Sequence, residues 1–414
     1  MRVHIHTDCH YFAGCEMILS DVLTDQRIRD LHDVSISYRS TPRYELGLKE
    51  WVKNQVILHS LSIPVIMPPT SDLKFLPKKV SVGIRLIVQY FFGPIYFLID
   101  VWRIHKVLRQ VNPDVIYINN GGYPGSRSAR AAVIAARIRK IPKVVMRVHN
   151  FAVPYSTALR IFEFPLDRLV AKWTSIFICG SFASAHQLGK VLCLSGKKVD
   201  VIYNGISPKV ENSLASLNIR QMLNLSAESI LLGVVAALES RKGLHILLQA
   251  IADMSIADPK TLQNIHLVVA GEGPEKERLE ALVRELNLSD RIKFLGHIAD
   301  GRNFIRGLDI LVVPSVREED TPNVIYEAMI VGVPVIASRV GGICEQIEDH
   351  VSGIMVKPGD ADELRLALCE MASDSLLRAS YGKESQDRFR RMFAVDLSIA
   401  KHLQLFDTLG DSHL

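Results

Sequence analysis

The chain is 414 residues long, more than one ordinary hydrophobic core organises, so two domains of roughly 200 residues are expected. With 48% hydrophobic and 22% charged residues, it is neither a disordered nor a collagen-like chain. The net charge of +5 is unevenly divided: residues 1–206 hold 27 Lys and Arg against 14 Asp and Glu, a surplus of +13, and the remainder carries −8. A basic half suits an anionic surface or acceptor, with compositional scatter as the plainer reading.

The start, MRVHIHTDCHYFAG, reads as an apolar strand followed by a loop, without the uninterrupted apolar stretch of a signal peptide. The six cysteines (Cys9, Cys15, Cys179, Cys193, Cys344, Cys369) lack the paired spacing of a zinc site or disulfide framework. A reducing, cytoplasmic compartment is the expectation. After a second strand, DVSISY, comes the apolar stretch Val80–Arg109, flanked by Lys78, Lys79, Arg103, Lys106 and Arg109. Its longest uncharged run, Leu86–Ile99, is interrupted by Gly93 and Pro94 and falls short of the ~20 residues a membrane span needs. The stretch suits either an anionic membrane surface, peripheral on the inner face of the plasma membrane, or a buried helix pair.

Strands are predicted next at DVIYIN, KVVMRVH, SIFICG and VDVIY, and a polar, turn-rich break follows at NGISPKVENS, residues 204–213. Beyond it ILLGVVA, IHLVVA, IKFLG, DILVVP and PVIAS alternate with the helical stretches KGLHILLQAIADM, PEKERLEALVREL and PNVIYEAMIVG. Short β-branched runs alternating with helices predict an α/β fold with parallel sheets. Two facing, doubly wound Rossmann-like domains are expected, residues 1–206 and 207–390, with 391–414 a C-terminal helix returning to the first. Ligands of such sheets bind outside the carboxyl ends of the strands, which places chemistry in an interdomain cleft.

The most informative stretch is REEDTPNVIYEAMIVGVPVIASRVGGICEQ, residues 317–346. Thr321 is the expected N-cap of a helix with Pro322 at its first position, and Gly332 with Pro334 stops it. The amides of Asn323, Val324 and Ile325 then form an anion site at the helix start. Glu319 and Glu327 bracket that start. A carboxylate beside a phosphate site is costly unless it accepts hydrogen bonds from hydroxyls, which a sugar nucleotide offers; two solvated charges are the plainer reading.

The run EEDTPNVIYEAM, followed by VGVPVIASRVGGICE, closely resembles the signature of the family 4 glycosyltransferases. The resemblance implies a GT-B fold and a retaining, metal-independent transfer of a sugar from a nucleoside-diphosphate donor, a UDP- or GDP-sugar, to an acceptor hydroxyl. No cofactor and no nucleic acid are implied. Glu319 then lies against the donor sugar, Glu327 holds the ribose, and Asn323 and Val324, with Thr321 beside them, hold the diphosphate. LLGVVAALESRKGLHILLQAI is similar to the family's phosphate-binding Lys-Gly segment and implies Lys242 on the diphosphate. Ala236 and Ala237 stand where the family has Gly-Arg, which makes Arg241 the candidate second cation.

IKFLGHIAD is similar to the element whose loop touches the base, implying Ile298. HYFAGCE is similar to the glycine-rich loop of the acceptor-side domain, with Gly14 allowing close approach to the diphosphate and Ala13 in place of a second glycine. His149, ending KVVMRVH, is the implied catalytic contact near the reaction centre. The family's Asn-Gly-x-Asp appears as Asn204-Gly205-Ile206-Ser207.

Asp360-Ala361-Asp362 reads as a helix N-cap rather than a metal site. A glycan or lipid-linked acceptor, in surface polysaccharide, lipopolysaccharide or lipid-linked oligosaccharide synthesis, suits the basic half and its apolar stretch. Two competing readings stand beside this one. Gly271-x-Gly273 suggests a dinucleotide-binding oxidoreductase, although Lys276 occupies the third glycine position. A catalytically silent GT-B partner subunit is argued by Ala237.

Overall fold

The computed structural model describes residues 1–411 apart from 11, 13, 53–54, 64–77, 196–197, 208–218, 227, 299 and 318. Ala13, the Lys78 and Lys79 side chains and positions 208–213 of the expected break lie outside the described residues. The chain forms two units, Met1–Ile202 with Ile399–Leu414, and Tyr203–Ser398. These boundaries fall at 202/203 and 398/399, where the sequence suggested 206/207 and 390/391. Tyr203 belongs with the second unit because its ring packs on Phe393 at 5.2 Å and its hydroxyl donates to Glu345 Oε2 at 3.0 Å.

The first unit contains β1 (Arg2–Thr7), β2 (Asp33–Arg39), β3 (Ile57–Leu61), β4 (Val115–Asn120), β5 (Lys143–Val148), β6 (Ile176–Cys179) and β7 (Val199–Val201). They form one parallel sheet in the order β3-β2-β1-β4-β5-β6-β7. The second unit contains β8 (Ile230–Val235), β9 (Ile265–Ala270), β10 (Ile292–Gly296), β11 (Ile310–Val313), β12 (Val335–Ser338) and β13 (Gly353–Val356). Its order, again all parallel, is β10-β9-β8-β11-β12-β13. Central strands such as β4, β11 and β12 are buried along their whole length. Helices cover both faces of each sheet, which is why these runs read as continuously apolar rather than alternating. Each order reverses once, at β1/β4 and at β8/β11, and a ligand crevice opens outside the carboxyl ends of the strands at such a point.

The stretch expected as a buried helix pair or a membrane-surface element is one helix, Lys78–Val111, with Pro94 inside it. Val101, Ile104, Val107 and Leu108 enter the core, whereas Phe91, Phe92, Ile95, Leu98 and Trp102 are exposed. Among the described residues no helix is long and apolar enough to cross a membrane.

Behind the loop that follows β5, Asp167 is fully buried and accepts hydrogen bonds from Tyr123 (3.0 Å), Arg130 (3.3 Å), Arg160 (2.6 Å) and Tyr155 (2.9 Å). Glu163 accepts from the same two arginines, each at 2.9 Å. Removing the central carboxylate takes the buried partner from two buried arginines and leaves them only the more exposed Glu163 among the carboxylates named here. Asp167→Ala is expected to lower the stability of the first unit by ~3–5 kcal/mol, measured by urea unfolding.

Candidate active site

The loops that leave β8 and β11, the two strands at the reversal of the second sheet, carry most of the predicted donor residues. A short 3-10 turn, Ser240–Lys242, ends at Gly243, which has φ +70° and opens the helix Leu244–Ala257. A Cβ on Gly243 would stand 1.9 Å from the Pro314 carbonyl oxygen, so no other residue fits the turn without moving the loop after β11. The Val316 amide donates to the Arg241 carbonyl at 2.9 Å and ties the two loops together.

Arg241 and Lys242 converge on one atom. Arg241 Nη1 donates to Glu319 Oε1 at 3.0 Å, Lys242 Nζ donates to the same oxygen, and Ser315 Oγ joins them at 3.2 Å. Glu319 is only 5% exposed, and burial at that level demands such pairing. Arg241 Nε also donates to Glu239 Oε2 at 2.7 Å. The two cations therefore share a direction, although their adjacency in sequence does not dictate it.

The helix expected after Glu319 spans Asn323–Val331 and stops at Gly332, in the left-handed region with φ +75°. Its N-cap differs from the expectation. Pro322 occupies the cap with extended backbone, while the Thr321 hydroxyl accepts from Asn204 Nδ2 at 3.1 Å instead of capping the helix. The Ile325 amide is satisfied by the Pro322 carbonyl at 3.1 Å, so it does not join the anion site. Among the described residues, that leaves the amides of Asn323 and Val324 open at the helix start. Glu327 lies one turn further in, half-buried, beside the start of the helix Gly301–Arg306. Burial pushes its carboxyl up to about 7, against the opposing influence of Arg302 and with a further upward contribution from Asp300. Ile298 follows β10 and packs partly buried against the core on the Val324 side of the sheet.

Gly271 and Gly273 have a packing role. A Cβ on either would collide with backbone after β8, at 1.9 Å from the Ala236 oxygen and 2.4 Å from the Leu238 oxygen. Close approach of two loops accounts for the glycine pair that suggested a dinucleotide site. Asp360 caps the helix Ala361–Ser373, its carboxylate accepting from the Glu363 amide at 3.1 Å.

In the first unit, Gly14 opens the helix Gly14–Thr24 after β1. His149 follows β5 directly, its amide donating to the Asn120 carbonyl at 3.0 Å. Its ring is buried, with Nε2 2.7 Å from Asn119 Oδ1. Burial, then Arg147 and His402, hold the imidazole's pKa well below the ordinary histidine value, so the ring is neutral. Sequence reasoning did not single out Ser315 or Asn119. The pair Asn119-Asn120, polar at the end of the apolar run VIYINN, was the available signal.

Two family models match the chain, glycosyl transferases group 1 over residues 216–388 and glycosyltransferase family 4 over residues 54–210. A 2-deoxystreptamine glucosyltransferase of Streptomyces kanamyceticus is 28% identical over 288 residues, covering 66% of this chain and 73% of that protein. The lipopolysaccharide core biosynthesis glycosyltransferase LpsD of Rhizobium meliloti is 26% identical over 74% of this chain and 78% of its own length. The crystal structure of Anabaena HepE in complex with UDP and glucose superimposes with a TM-score of 0.75 at 21% identity, over 99% of this chain and all of that one. Two matched family models and two parallel-sheet Rossmann-like units of GT-B type identify the chain as a glycosyltransferase belonging to family 4.

Proposed function

We propose that this glycosyltransferase is retaining and metal-independent, and that it moves a sugar from a UDP- or GDP-sugar to a hydroxyl of a glycan or lipid-linked acceptor. The observation that carries the donor assignment is the meeting of Arg241 and Lys242 on Glu319 Oε1, beside the open amides of Asn323 and Val324. Two cations and a helix start at a sheet reversal form a site for a diphosphate, and fixed positive charge there stabilises the leaving group as the glycosidic bond breaks. Arg241 then supplies the cation that Ala237 lacks. Displaced from its cations by the diphosphate, Glu319 turns to the hydroxyls of the donor sugar. Glu327 accepts from the ribose hydroxyls, Ile298 lies against the base, and Thr321 supports the loop between the two glutamates. In the first unit Gly14 gives the diphosphate close backbone access, and His149 contacts the sugar near the reacting carbon.

Retention and metal independence rest on the family resemblance. The likeness to the lipopolysaccharide enzyme supports a surface glycan as the product. The exposed Phe91, Ile95, Leu98 and Trp102, with Lys106 Nζ 3.5 Å above the Trp102 ring, support peripheral binding to an anionic membrane surface on the cytoplasmic side.

A thermal-shift panel of UDP-, GDP- and ADP-sugars tests the donor assignment. UDP- or GDP-sugar is expected to raise Tm, and Lys242→Ala to weaken that donor by ~10- to 100-fold, the worth of one charge-assisted contact. Glu319→Gln should bind UDP no more weakly than wild type, because the competing carboxylate is gone, yet turn over ~100-fold more slowly. No stabilisation by any nucleotide sinks the assignment.

Ionised Glu327 is the form that accepts ribose hydroxyls. Because its carboxyl titrates near 7 in the free protein, donor affinity is expected to rise between pH 6 and pH 8. Glu327→Gln should flatten that rise in titration calorimetry.

A further inference from the structure

The carboxyl edge of the first sheet holds a chain of buried polar groups, of which the functional reading above uses only His149. Sheet register sets Thr7 of β1 beside Asn119 of β4, and Asn119 beside Arg147 of β5. His149, two residues beyond Arg147, returns to the same face of the sheet. Glu16 comes down on that face from the helix Gly14–Thr24. Thr7 Oγ1 donates to Glu16 Oε1 at 2.9 Å, Asn119 Nδ2 donates to the same oxygen at 3.5 Å, and Asn119 Oδ1 meets His149 Nε2 at 2.7 Å.

The roles in this chain follow from what each group is able to do. A carboxylate only accepts, so the amide of Asn119 must turn its NH2 to Glu16 and its oxygen to His149. An amide oxygen also only accepts, so His149 Nε2 must carry a proton. In a neutral imidazole the other nitrogen is then bare. Among the described residues Nδ1 has no hydrogen-bond partner. The charged and titratable groups acting on the ring are Arg147, from β5, and His402, from the C-terminal helix Val395–Asp411, and both favour its neutral form.

We propose that Asn119 is a positioning residue for sugar transfer: oriented by Glu16, it fixes the His149 proton on Nε2 and leaves Nδ1 as an acceptor for a hydroxyl of the sugar. This deepens the functional reading above and rests on its placement of His149. Without Asn119 the imidazole is free to rotate or to change tautomer, and a donor N–H then faces a hydroxyl that needs an acceptor.

The test is a long-range proton–nitrogen correlation spectrum of the full chain labelled with [15N]histidine, the His149 signals being those lost in His149→Gln. Wild type is expected to show the Nε2–H tautomer. Asn119→Leu is expected to mix the tautomers and to lower kcat by ~10-fold or more, with the donor KM little changed. Asn119→Asp keeps an acceptor opposite Nε2, so the tautomer should survive, while the added charge moves the acid limb of the pH–rate profile upward by about one unit. A wild-type ring protonated on Nδ1 overturns the proposal. So does an Asn119→Leu enzyme with unchanged kcat, or one that loses activity with the tautomer intact, since packing alone then explains the residue. If His149→Gln transfers sugar as well as wild type, the placement of His149 falls and the proposal with it, while the spectrum still reports the tautomer and shows which of the two has failed.

Discussion

A carboxylate almost withdrawn from water is tolerable only when cations answer it, and in the second unit Glu319 is answered twice on a single oxygen. The neighbouring loops are arranged around that demand. Gly243 lets the chain turn tightly enough after β8 to bring Arg241 and Lys242 against the loop after β11, and the Val316 amide fastens that approach. Glu239 also accepts from Arg241, so these two cations and two carboxylates are close to electrical balance. The proposed diphosphate would bring surplus negative charge, which the amides at the start of the helix Asn323–Val331, open among the described residues, suit. The internal carboxylate thus orders the two cations, and it would compete with the proposed diphosphate for them.

Inside the sheet at β1, the first unit answers buried polarity with neutral groups. His4 and His6 lie inside the sheet at β1, with Ser35 and Ser37 of β2 and Ser128 as hydrogen-bond partners at 2.8–3.0 Å. Burial brings the two imidazoles down to about 3 and about 4, reinforced at His4 by His6 and His59 and opposed at His6 by Asp8, so hydroxyls suffice as partners. The series ends at Asp8, where Ser128 Oγ and Arg39 Nε each donate at 2.5 Å. His149 belongs to the same economy of uncharged rings, but it stands at the strand end, where one nitrogen is left for a substrate.

Much of this was legible beforehand. The alternation of β-branched runs with helical stretches announces parallel sheets covered on both faces, because each run must be apolar on both sides. The helix that the sequence places between TPNVIY and Gly332 spans Asn323–Val331 and stops at Gly332. Other features were misread for identifiable reasons. Thr321 has the composition of a cap, but Pro322 takes the cap position and Asn204, 117 residues away in sequence, claims the hydroxyl. The apolar stretch, read as either a membrane-surface element or a buried helix pair, is one helix, Pro94 notwithstanding.

By itself the sequence determined the family, the two-sheet architecture and the short motifs, because those depend on local spacing and on side chains a few residues apart. Only the tertiary structure decided which atoms meet. Arg241 reaches Glu319 across 78 residues and His149 reaches Asn119 across 30. Such pairings are set by strand order and register, and a hydrogen bond's direction is set by what its partner is already committed to. Neither quantity is written in any local run of residues.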